Sequence, residues 1–309
     1  MKLFKCSRCG RENPRYFVSH MKRALCKDCY ISYFEKKVKN TFIKYNMYNV
    51  ASKVGVALSG GKDSQALLRA LYNVFPNLDM KGIYINLGIS GYSSESEKAV
   101  RRLCGELGVD LITYNLKESG GFVIPDFKNS RIGRRMCGVC GTVKRYLLNR
   151  IAVENGLSTV ATGHNLDDTV EVLFELYLNG KLEEAVRIRP VSLSTHRKLA
   201  NRIKPLIELT DEEDLYYVDA TDTPYHASWC PLVRGSRMVG RKELIREIEQ
   251  KIPNYRHILF KSHVKRILPK LDKIVKPPEL VECEVCGMPT VSRVCSFCRL
   301  TRRVLKLNA

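Results

Sequence analysis

Residues 53–64 read KVGVALSGGKDS, and this stretch decides the fold of the chain. Its first half, Lys53–Leu58, is rich in β-branched and apolar residues, which predicts a buried strand. A helix is predicted directly afterwards, over Lys62–Phe75, because apolar residues recur there at helical spacing. Two glycines, Gly60 and Gly61, separate the two elements. A strand that turns through glycines straight into a helix is typical of an α/β fold with a parallel sheet.

The same alternation continues along the chain. Further strands are predicted at Lys81–Leu87, Asp110–Asn115 and Thr159–Thr162, and the accompanying helices at Ser94–Leu107, Thr142–Asn155 and Asp167–Tyr177. This order predicts a doubly wound parallel sheet with right-handed crossovers, in which ligands bind beyond the carboxyl ends of the strands. After Asn179 the pattern is more helical, with helices predicted at Asp211–Ala220, Lys242–Lys251 and Tyr255–Leu268.

Ten of the twelve cysteines form CxxC pairs, and the pairs at the two ends make two four-cysteine sets. These sets are Cys6, Cys9, Cys26 and Cys29 near the start, and Cys283, Cys286, Cys295 and Cys298 near the end. Four thiolates at such spacing predict two structural Zn²⁺ ribbons. We therefore expect a ribbon at 1–34, a catalytic domain with a helical C-terminal part at 35–275, and a second ribbon at 276–309.

The formal net charge is +20, which favours a polyanionic partner, nucleic acid first. No run of about 18 apolar residues predicts a membrane span. The N-terminal residues lack an apolar signal segment, so we expect a cytoplasmic protein whose cysteines bind metal or act in catalysis. Glutamine occurs only at Gln65 and Gln250, while Lys, Arg and Glu abound, which is typical of a thermophile.

The loop Ser59–Ser64 has the composition of a phosphate-binding loop. Glycines let backbone N–H groups approach a phosphate, and the start of the next helix adds positive potential. It is not a Walker A loop, because Val56 replaces the first glycine and Asp63 follows Lys62. The alternative interpretation is a tight turn before a capped helix.

A second loop, Gly163–Asp168, also joins a strand to a helix and reads GHNLDD. Asp167 or Asp168 could hold Mg²⁺ or act as a base, or the segment could simply cap its helix. Lys144, one helical turn after Cys140, could serve as a cation beside a reacting base or could be a solvated surface lysine.

Three cysteines remain besides the single Cys104, and we call Cys137, Cys140 and Cys230 the thiol trio. Three thiolates without an obvious fourth ligand fit an iron–sulfur cluster with one open iron. They also fit a redox pair with an unrelated third thiol. A third zinc site would need a fourth ligand, which His226 could supply. The spacing leaves these three alternatives open.

Together these motifs resemble the tRNA 2-thiolation branch of the PP-loop ATP pyrophosphatase family, the TtcA/TtuA group. The matching features span nearly the whole chain in the order of the family: the first four-cysteine set, Ser59–Ser64, Cys137/Cys140, Gly163–Asp168, Cys230 and the last four-cysteine set. The resemblance implies a tRNA-uridine 2-sulfurtransferase that adenylates the uridine 2-carbonyl oxygen with ATP and then inserts sulfur, releasing AMP and pyrophosphate. Position 54 of the T-loop is the expected target, and the wobble uridine 34 is the alternative.

The resemblance also implies the cofactors and partners. A [4Fe-4S] cluster on Cys137, Cys140 and Cys230 would carry sulfide, with Lys144 and Asp168 as catalytic helpers; a persulfide relay on the same cysteines is the alternative. ATP and Mg²⁺ would be bound by residues of the two loops: Ala57, Ser59, Gly61, Lys62, Asp63, Ser64, Gly163 and Asp168. The expected partners are tRNA, a ubiquitin-like sulfur carrier ending in a thiocarboxylate, and a second copy of the chain.

Overall fold

Ten strands form three sheets in the computed structural model, which describes residues 5–129, 136–233 and 237–305. The strands are β1 (Tyr16–Val18), β2 (Arg23–Leu25), β3 (Val54–Leu58), β4 (Met80–Asn86), β5 (Leu111–Asn115), β6 (Thr159–Thr162), β7 (Val191–Ser192), β8 (Asn201–Ile203), β9 (Val281–Glu282) and β10 (Pro289–Thr290). Two antiparallel pairs, β1–β2 and β9–β10, belong to the four-cysteine modules at the two ends.

The central sheet has the strand order β5-β4-β3-β6-β8-β7. Strands β5, β4, β3, β6 and β8 are parallel, which confirms the doubly wound arrangement predicted from the sequence. Strand β7 runs antiparallel to β8 because only the short segment 193–200 joins them, and a parallel pair would need a longer crossover. The chain reverses its winding direction between β3 and β6, which is where ligands bind in such sheets.

The helices are α1 (Lys27–Lys44), α2 (Lys62–Val74), α3 (Tyr92–Leu107), α4 (Leu116–Gly120), α5 (Met136–Glu154), α6 (Leu166–Leu178), α7 (Leu182–Ala185), α8 (Asp211–Ala220), α9 (Arg237–Lys251), α10 (Tyr255–Ser262), α11 (Leu268–Ile274) and α12 (Ser296–Leu305). Helix α5 begins six residues earlier than expected, so Cys137 and Cys140 lie within its first turns, three residues apart and on the same side. No helix of the described ranges is both long and apolar enough to cross a bilayer.

Helix α1 is an element that the sequence analysis did not predict, and it crosses the expected boundary between 34 and 35. Its buried residues Tyr30, Phe34, Val38 and Phe42 follow one another at four-residue spacing, a helical signal that was present in the sequence. The ring of Phe34 stacks on Tyr217 of α8 with centroids 4.0 Å apart. The N-terminal module therefore shares its core with the central sheet. The division into three domains stays a prediction. Residues 1–4 and 306–309 of its two terminal ribbons lie outside the described residues.

Alternating side chains of the sheet bury two separate cores. Tyr84 points into a core with α1, α2, α3 and α8, whereas its neighbours Ile83 and Ile85 point into a core with α5. The C-terminal module packs on this second core, because Val304 is buried there and Phe297 stacks on Tyr146 of α5 at 3.8 Å. Helix α5 thus lies between the sheet and the C-terminal module.

We expect the Phe34→Ala variant to lose about 3–5 kcal/mol of unfolding free energy, since it removes a fully buried ring from the shared core. Phe17→Ala, in the same module, is the control because Phe17 is 40% exposed. Urea unfolding of both variants measures the difference. Equal, small losses would contradict a shared core.

Candidate functional site

The loop after β3 requires glycine at position 60, because any other residue would displace the neighbouring backbone. Gly60 has φ +79°, and a side-chain carbon there would lie 2.6 Å from the backbone oxygen of Ser96. Ser64 donates a hydrogen bond to the carbonyl of Gly61 (2.9 Å) and accepts one from the backbone N–H of Ser59 (3.1 Å). The loop is therefore preshaped at the start of α2, where helix N–H groups favour an anion.

The loop after β6 touches the first loop through its backbone. A side-chain carbon at Gly163 would lie 2.9 Å from the backbone nitrogen of Ser64 and the carbonyl carbon of Asp63, so glycine is required for this approach. Both loops follow neighbouring parallel strands, β3 and β6, at the point where the winding reverses. This close approach brings the residues predicted from the two loops to one place.

Asn165 ties the second loop to its surroundings. Its side-chain oxygen accepts the backbone N–H of Asp168 (3.1 Å), which caps α6. Its amide donates to a carboxylate oxygen of Asp214 (3.0 Å) and, at 3.4 Å, to Asp63. Asn165 and Asp214 are both fully buried. One amide therefore positions three acidic residues, a role that the sequence analysis did not assign.

Asp214 is a second residue that sequence reasoning missed. Burial raises the pKa of its carboxyl well above the usual range, and the negative charge of Asp63 raises it further. Its other carboxyl oxygen has no hydrogen-bond partner among the described residues. Burial also raises the pKa of Asp63, against the opposing charge of Lys62. The two carboxyls thus favour sharing a proton rather than carrying two charges.

Lys62 and Asp168 are both engaged in ion pairs. The Nζ atom of Lys62 lies 2.5 Å from Asp63 and 2.6 Å from Asp211. Lys242 of α9 lies 2.5 Å from a carboxylate oxygen of Asp168. The carboxylates of Asp63, Asp168 and Asp211 therefore surround the start of α2 and α6, with cations held between them. Carboxylate oxygens are the protein ligands that Mg²⁺ prefers.

A cavity of about 280 Å³ opens above these loops, and we call it the nucleotide cavity. Seven of the predicted site residues line it: Ala57, Ser59, Asp63, Ser64, Lys144, Gly163 and Asp168. Gly61 and Lys62, although described, are not part of its lining. Its apolar wall includes Tyr84, Ile85 and Leu87, as expected for a pocket that accepts a planar base. His164 also lines it, with Nδ1 2.9 Å from the hydroxyl of Thr162.

The thiol trio lies beside this cavity. Cys140 and Cys230 pack against the same hydrophobic core, and Cys137 lies three residues before Cys140 in the first turns of α5. Burial raises the pKa of Cys140, Lys144 opposes this shift, and the negative charges of Cys230 and Cys137 add to it. Burial likewise raises the pKa of Tyr92, which lines the cavity, and the charges of Cys230 and Cys140 raise it further. Lys144 and Tyr92 therefore border both the cavity and the thiols.

The segment that carries Cys230 is fastened to the phosphate loop. The backbone N–H of His226 donates to the carbonyl of Gly60 (2.8 Å), and the side chain of Gln65 donates to the carbonyl of Pro224 (2.8 Å). The short turn Pro231–Val233 then packs against α5. A cysteine distant in sequence is thereby held beside the first turn of α5.

The trio has no fourth protein ligand in the part of the chain that the structure describes. His226, the candidate for a third zinc site, directs Nδ1 to the hydroxyl of Ser96 (3.1 Å), and it joins no group of metal-ligating atoms with the trio. Thiolates that bind different irons of one cluster stand farther apart than thiolates on one zinc ion. Among the described residues the trio thus forms no closed four-ligand site, and a donor set of three thiolates suits a cluster with one open iron.

In contrast, the four sulfurs of each terminal four-cysteine set lie close together. The sulfurs within each set lie within 4.8 Å of one another, which suits one tetrahedral ion. Backbone N–H groups of Cys26, Cys9 and Arg8 lower the pKa of Cys6 to about 6, overcoming the opposite effect of burial. Gly10 and Gly287, with φ of +76° and +67°, make the tight knuckles that follow Cys9 and Cys286.

We expect Asn165→Ala to cost about 2–4 kcal/mol of unfolding free energy, because it removes a helix cap and leaves the buried Asp214 without its donor. Asn115→Ala is the matched control, since Asn115 caps α4 but contacts no buried carboxyl; its loss should be about 1 kcal/mol. Urea unfolding and ATP titration compare the two variants. If both lose the same stability and bind ATP alike, Asn165 is only a cap.

Comparison with known proteins identifies the family of this chain. The sequence pattern of the family described as PP-loop domain matches residues 31–227. Curated relatives from Pyrococcus horikoshii and Thermus thermophilus, both named tRNA-5-methyluridine(54) 2-sulfurtransferase, are 34% and 35% identical. Each alignment covers 96% of this chain, and they cover 93% and 90% of the respective relatives.

A solved structure agrees with this assignment over nearly the full length. The U34-tRNA thiolase NcsA from Methanococcus maripaludis, determined with its [4Fe-4S] cluster, superposes with a TM-score of 0.78 at 25% identity. The match covers 98% of this chain and 97% of that one. The chain belongs to the PP-loop family and, within it, to the tRNA 2-sulfurtransferases.

Proposed function

We propose that this protein is an ATP-dependent tRNA-uridine 2-sulfurtransferase that converts a uridine to 2-thiouridine. The observation that supports this activity is that Lys144 and Tyr92 border both the nucleotide cavity and the thiol trio. An activated base in the cavity would therefore have sulfur chemistry directly beside it. A protein that only binds nucleotide and RNA would have no use for three thiols at this position.

In the first step, the uridine is flipped out of the RNA and its 2-carbonyl oxygen attacks the α-phosphate of ATP. Pyrophosphate leaves, and the loop residues Ser59 and Ser64 with the N–H groups of α2 hold the phosphates. Mg²⁺, held by Asp63 and Asp168, would neutralise charge on the leaving pyrophosphate. For Lys62 to help, it must exchange its present carboxylate partners for phosphate oxygens.

In the second step, sulfur replaces the adenylated oxygen and AMP leaves. The donor set of Cys137, Cys140 and Cys230 fits a [4Fe-4S] cluster, which would supply an iron open to a sulfide ligand. Lys144 has no carboxylate partner among the described residues, so its charge is available to stabilise a thiolate or the departing oxygen. Asp168, which also lines the cavity, would orient the base or the metal.

We propose position 54 of the T-loop as the target, because relatives above 30% identity carry that position in their names. Mass spectrometry of tRNA digests from a deletion strain tests this assignment. Loss of 2-thiouridine at position 34 instead would move the protein to the wobble thiolases. A cytoplasmic location, a thiocarboxylate carrier as sulfur donor and a homodimer complete the proposal, and they rest on the resemblance to the family.

We expect Cys230→Ser, reconstituted anaerobically with iron and sulfide, to form no 2-thiouridine while it still binds ATP. The reason is that serine removes one of three thiolates without touching the phosphate loop. Cys104→Ala is the control, because Cys104 is buried in the α2/α3 core, where burial raises the pKa of its thiol to about 11. Full thiolation by Cys230→Ser would overturn the mechanism.

Iron content and visible absorbance of the anaerobic protein then separate a cluster from a persulfide relay. A cluster gives a broad visible band that is lost in Cys230→Ser. Thiolation by a colourless, iron-free protein would favour the relay.

We propose Zn²⁺ for both terminal four-cysteine sets. Cys298→Ser should lower the bound zinc by one of two equivalents and the thermal midpoint with it, because metal binding contributes to folding directly. The thiol trio should still take up iron in this variant. Unchanged zinc content would refute the assignment of that set.

A further inference from the structure

Several basic side chains next to the nucleotide cavity have no acidic partner. Among the described residues, no carboxylate lies within ion-pair distance of Lys144, Arg145, Arg202 or Lys204, whereas Arg256 is paired with both Asp167 and Glu249. Burial lowers the pKa of Lys204 to about 8, and the charge of Arg202 contributes to this shift. These cations repel one another and lack counter-charges. They therefore favour the binding of an anion from outside the chain.

Two of these cations line a second cavity, which we call the ribbon groove. It has a volume of about 340 Å³ and lies between α5, the end of β8 and the C-terminal module. Arg145, Asn149 and Arg202 form one side, and Pro289, Ser296 and Phe297 the other. No Asp or Glu belongs to its described lining. The groove therefore offers two guanidinium groups and no carboxylate, and its one thiol, Cys295, belongs to the C-terminal four-cysteine set.

The two guanidinium groups are held in place by the backbone of α5. The Nη2 atom of Arg202 donates to the carbonyl of Arg145 (3.3 Å). The Nη1 atom of Arg145 packs over Gly141, where a side-chain carbon would lie only 3.0 Å away. Gly141 directly follows Cys140, so the side chain of Arg145 reaches back to the turn that carries this member of the thiol trio.

Helix α5 links the ribbon groove to the nucleotide cavity, because Lys144 lines the cavity and the next residue, Arg145, lines the groove. Burial lowers the pKa of His164, a wall residue of that cavity, and the charges of Lys204, Arg202 and Arg145 lower it further. The charges of these cations thus act on a wall residue of the nucleotide cavity, partly opposed by the charge of Asp168. A base that enters the nucleotide cavity leaves the phosphates of its own strand just outside this cavity. The ribbon groove lies on one of the two sides along which that strand can continue.

We infer that Arg145 and Arg202 form a phosphate site for the RNA substrate, which holds the backbone next to the flipped uridine against the C-terminal module. This inference rests on the proposed function. Arginine suits the role because its planar group binds a phosphate through two parallel hydrogen bonds. Tyr146 and Phe297 both line the groove, and their stacking keeps the module in the position that forms its far wall.

The test is tRNA binding by the full-length protein, measured over a range of salt concentrations. Arg145→Gln and Arg202→Gln should each weaken binding about fivefold at 0.15 M salt and reduce the slope of log K against log salt by about 1, as expected for the loss of one phosphate contact. Arg150→Gln is the matched control. Arg150 lies on the same helix and carries the same charge, but it is paired with Glu154 at 2.7 Å, so its variant should bind like the wild type.

Three results would overturn the phosphate site. The first is that Arg145→Gln and Arg202→Gln bind tRNA with the affinity and salt slope of Arg150→Gln. The second is that they lose affinity for inorganic pyrophosphate while tRNA binding is unchanged, which would assign the groove to the released product. The third is loss of zinc from the C-terminal module, which would mean that the arginines balance the charge of its thiolates.

Failure of the proposed function gives a different pattern. A wild-type protein that binds tRNA with the arginine-dependent salt slope but forms no 2-thiouridine would refute the activity and support the phosphate site. A wild-type protein without affinity for tRNA would overturn both.

Discussion

The site depends on one close approach of backbone to backbone. Gly163 lies so near Asp63 and Ser64 that a single added carbon would collide with them. This contact exists because β3 and β6 are adjacent at the point where the sheet reverses its winding. Asn165 then fixes the second loop in place. Its amide donates hydrogen bonds to carboxylates of α2 and α8, and its side-chain oxygen caps α6. Without this approach, the nucleotide cavity would have only one of its two loops.

The position of Cys230 beside the cavity depends on hydrogen bonds made by the segment that precedes it. Hydrogen bonds from His226 to Gly60 and from Gln65 to Pro224 fasten the segment before Cys230 to the phosphate loop. The same segment reaches α5 by the turn that follows Cys230. A shift of the phosphate loop would therefore also move Cys230, which would couple ATP activation to sulfur transfer in the proposed mechanism.

Both four-cysteine modules pack against the rest of the chain. The N-terminal module shares a core with the sheet through α1, and the C-terminal module stacks Phe297 on the helix that carries Cys137 and Cys140. Loss of either module would therefore expose apolar surface of the catalytic region. Among the described residues, many surface cations pair locally, as Arg150 does with Glu154, whereas Lys144, Arg145, Arg202 and Lys204 have no carboxylate within ion-pair distance.

The sequence by itself determined the local parts: the strands and helices around KVGVALSGGKDS, both loops, and the two four-cysteine sets. These follow from turn residues, periodicity and short spacings, which act within a few residues of one another. The four-residue spacing of Tyr30, Phe34 and Val38 also indicates helix α1, although this helix was not predicted from the sequence. Only the tertiary structure decided that Lys62 is bound by Asp211, that Asp214 is buried beside Asp63, and that Arg202 faces Arg145. Those pairs are separated by tens to more than a hundred residues, and nothing in local sequence specifies which distant side chain a fold will place next to a given charge.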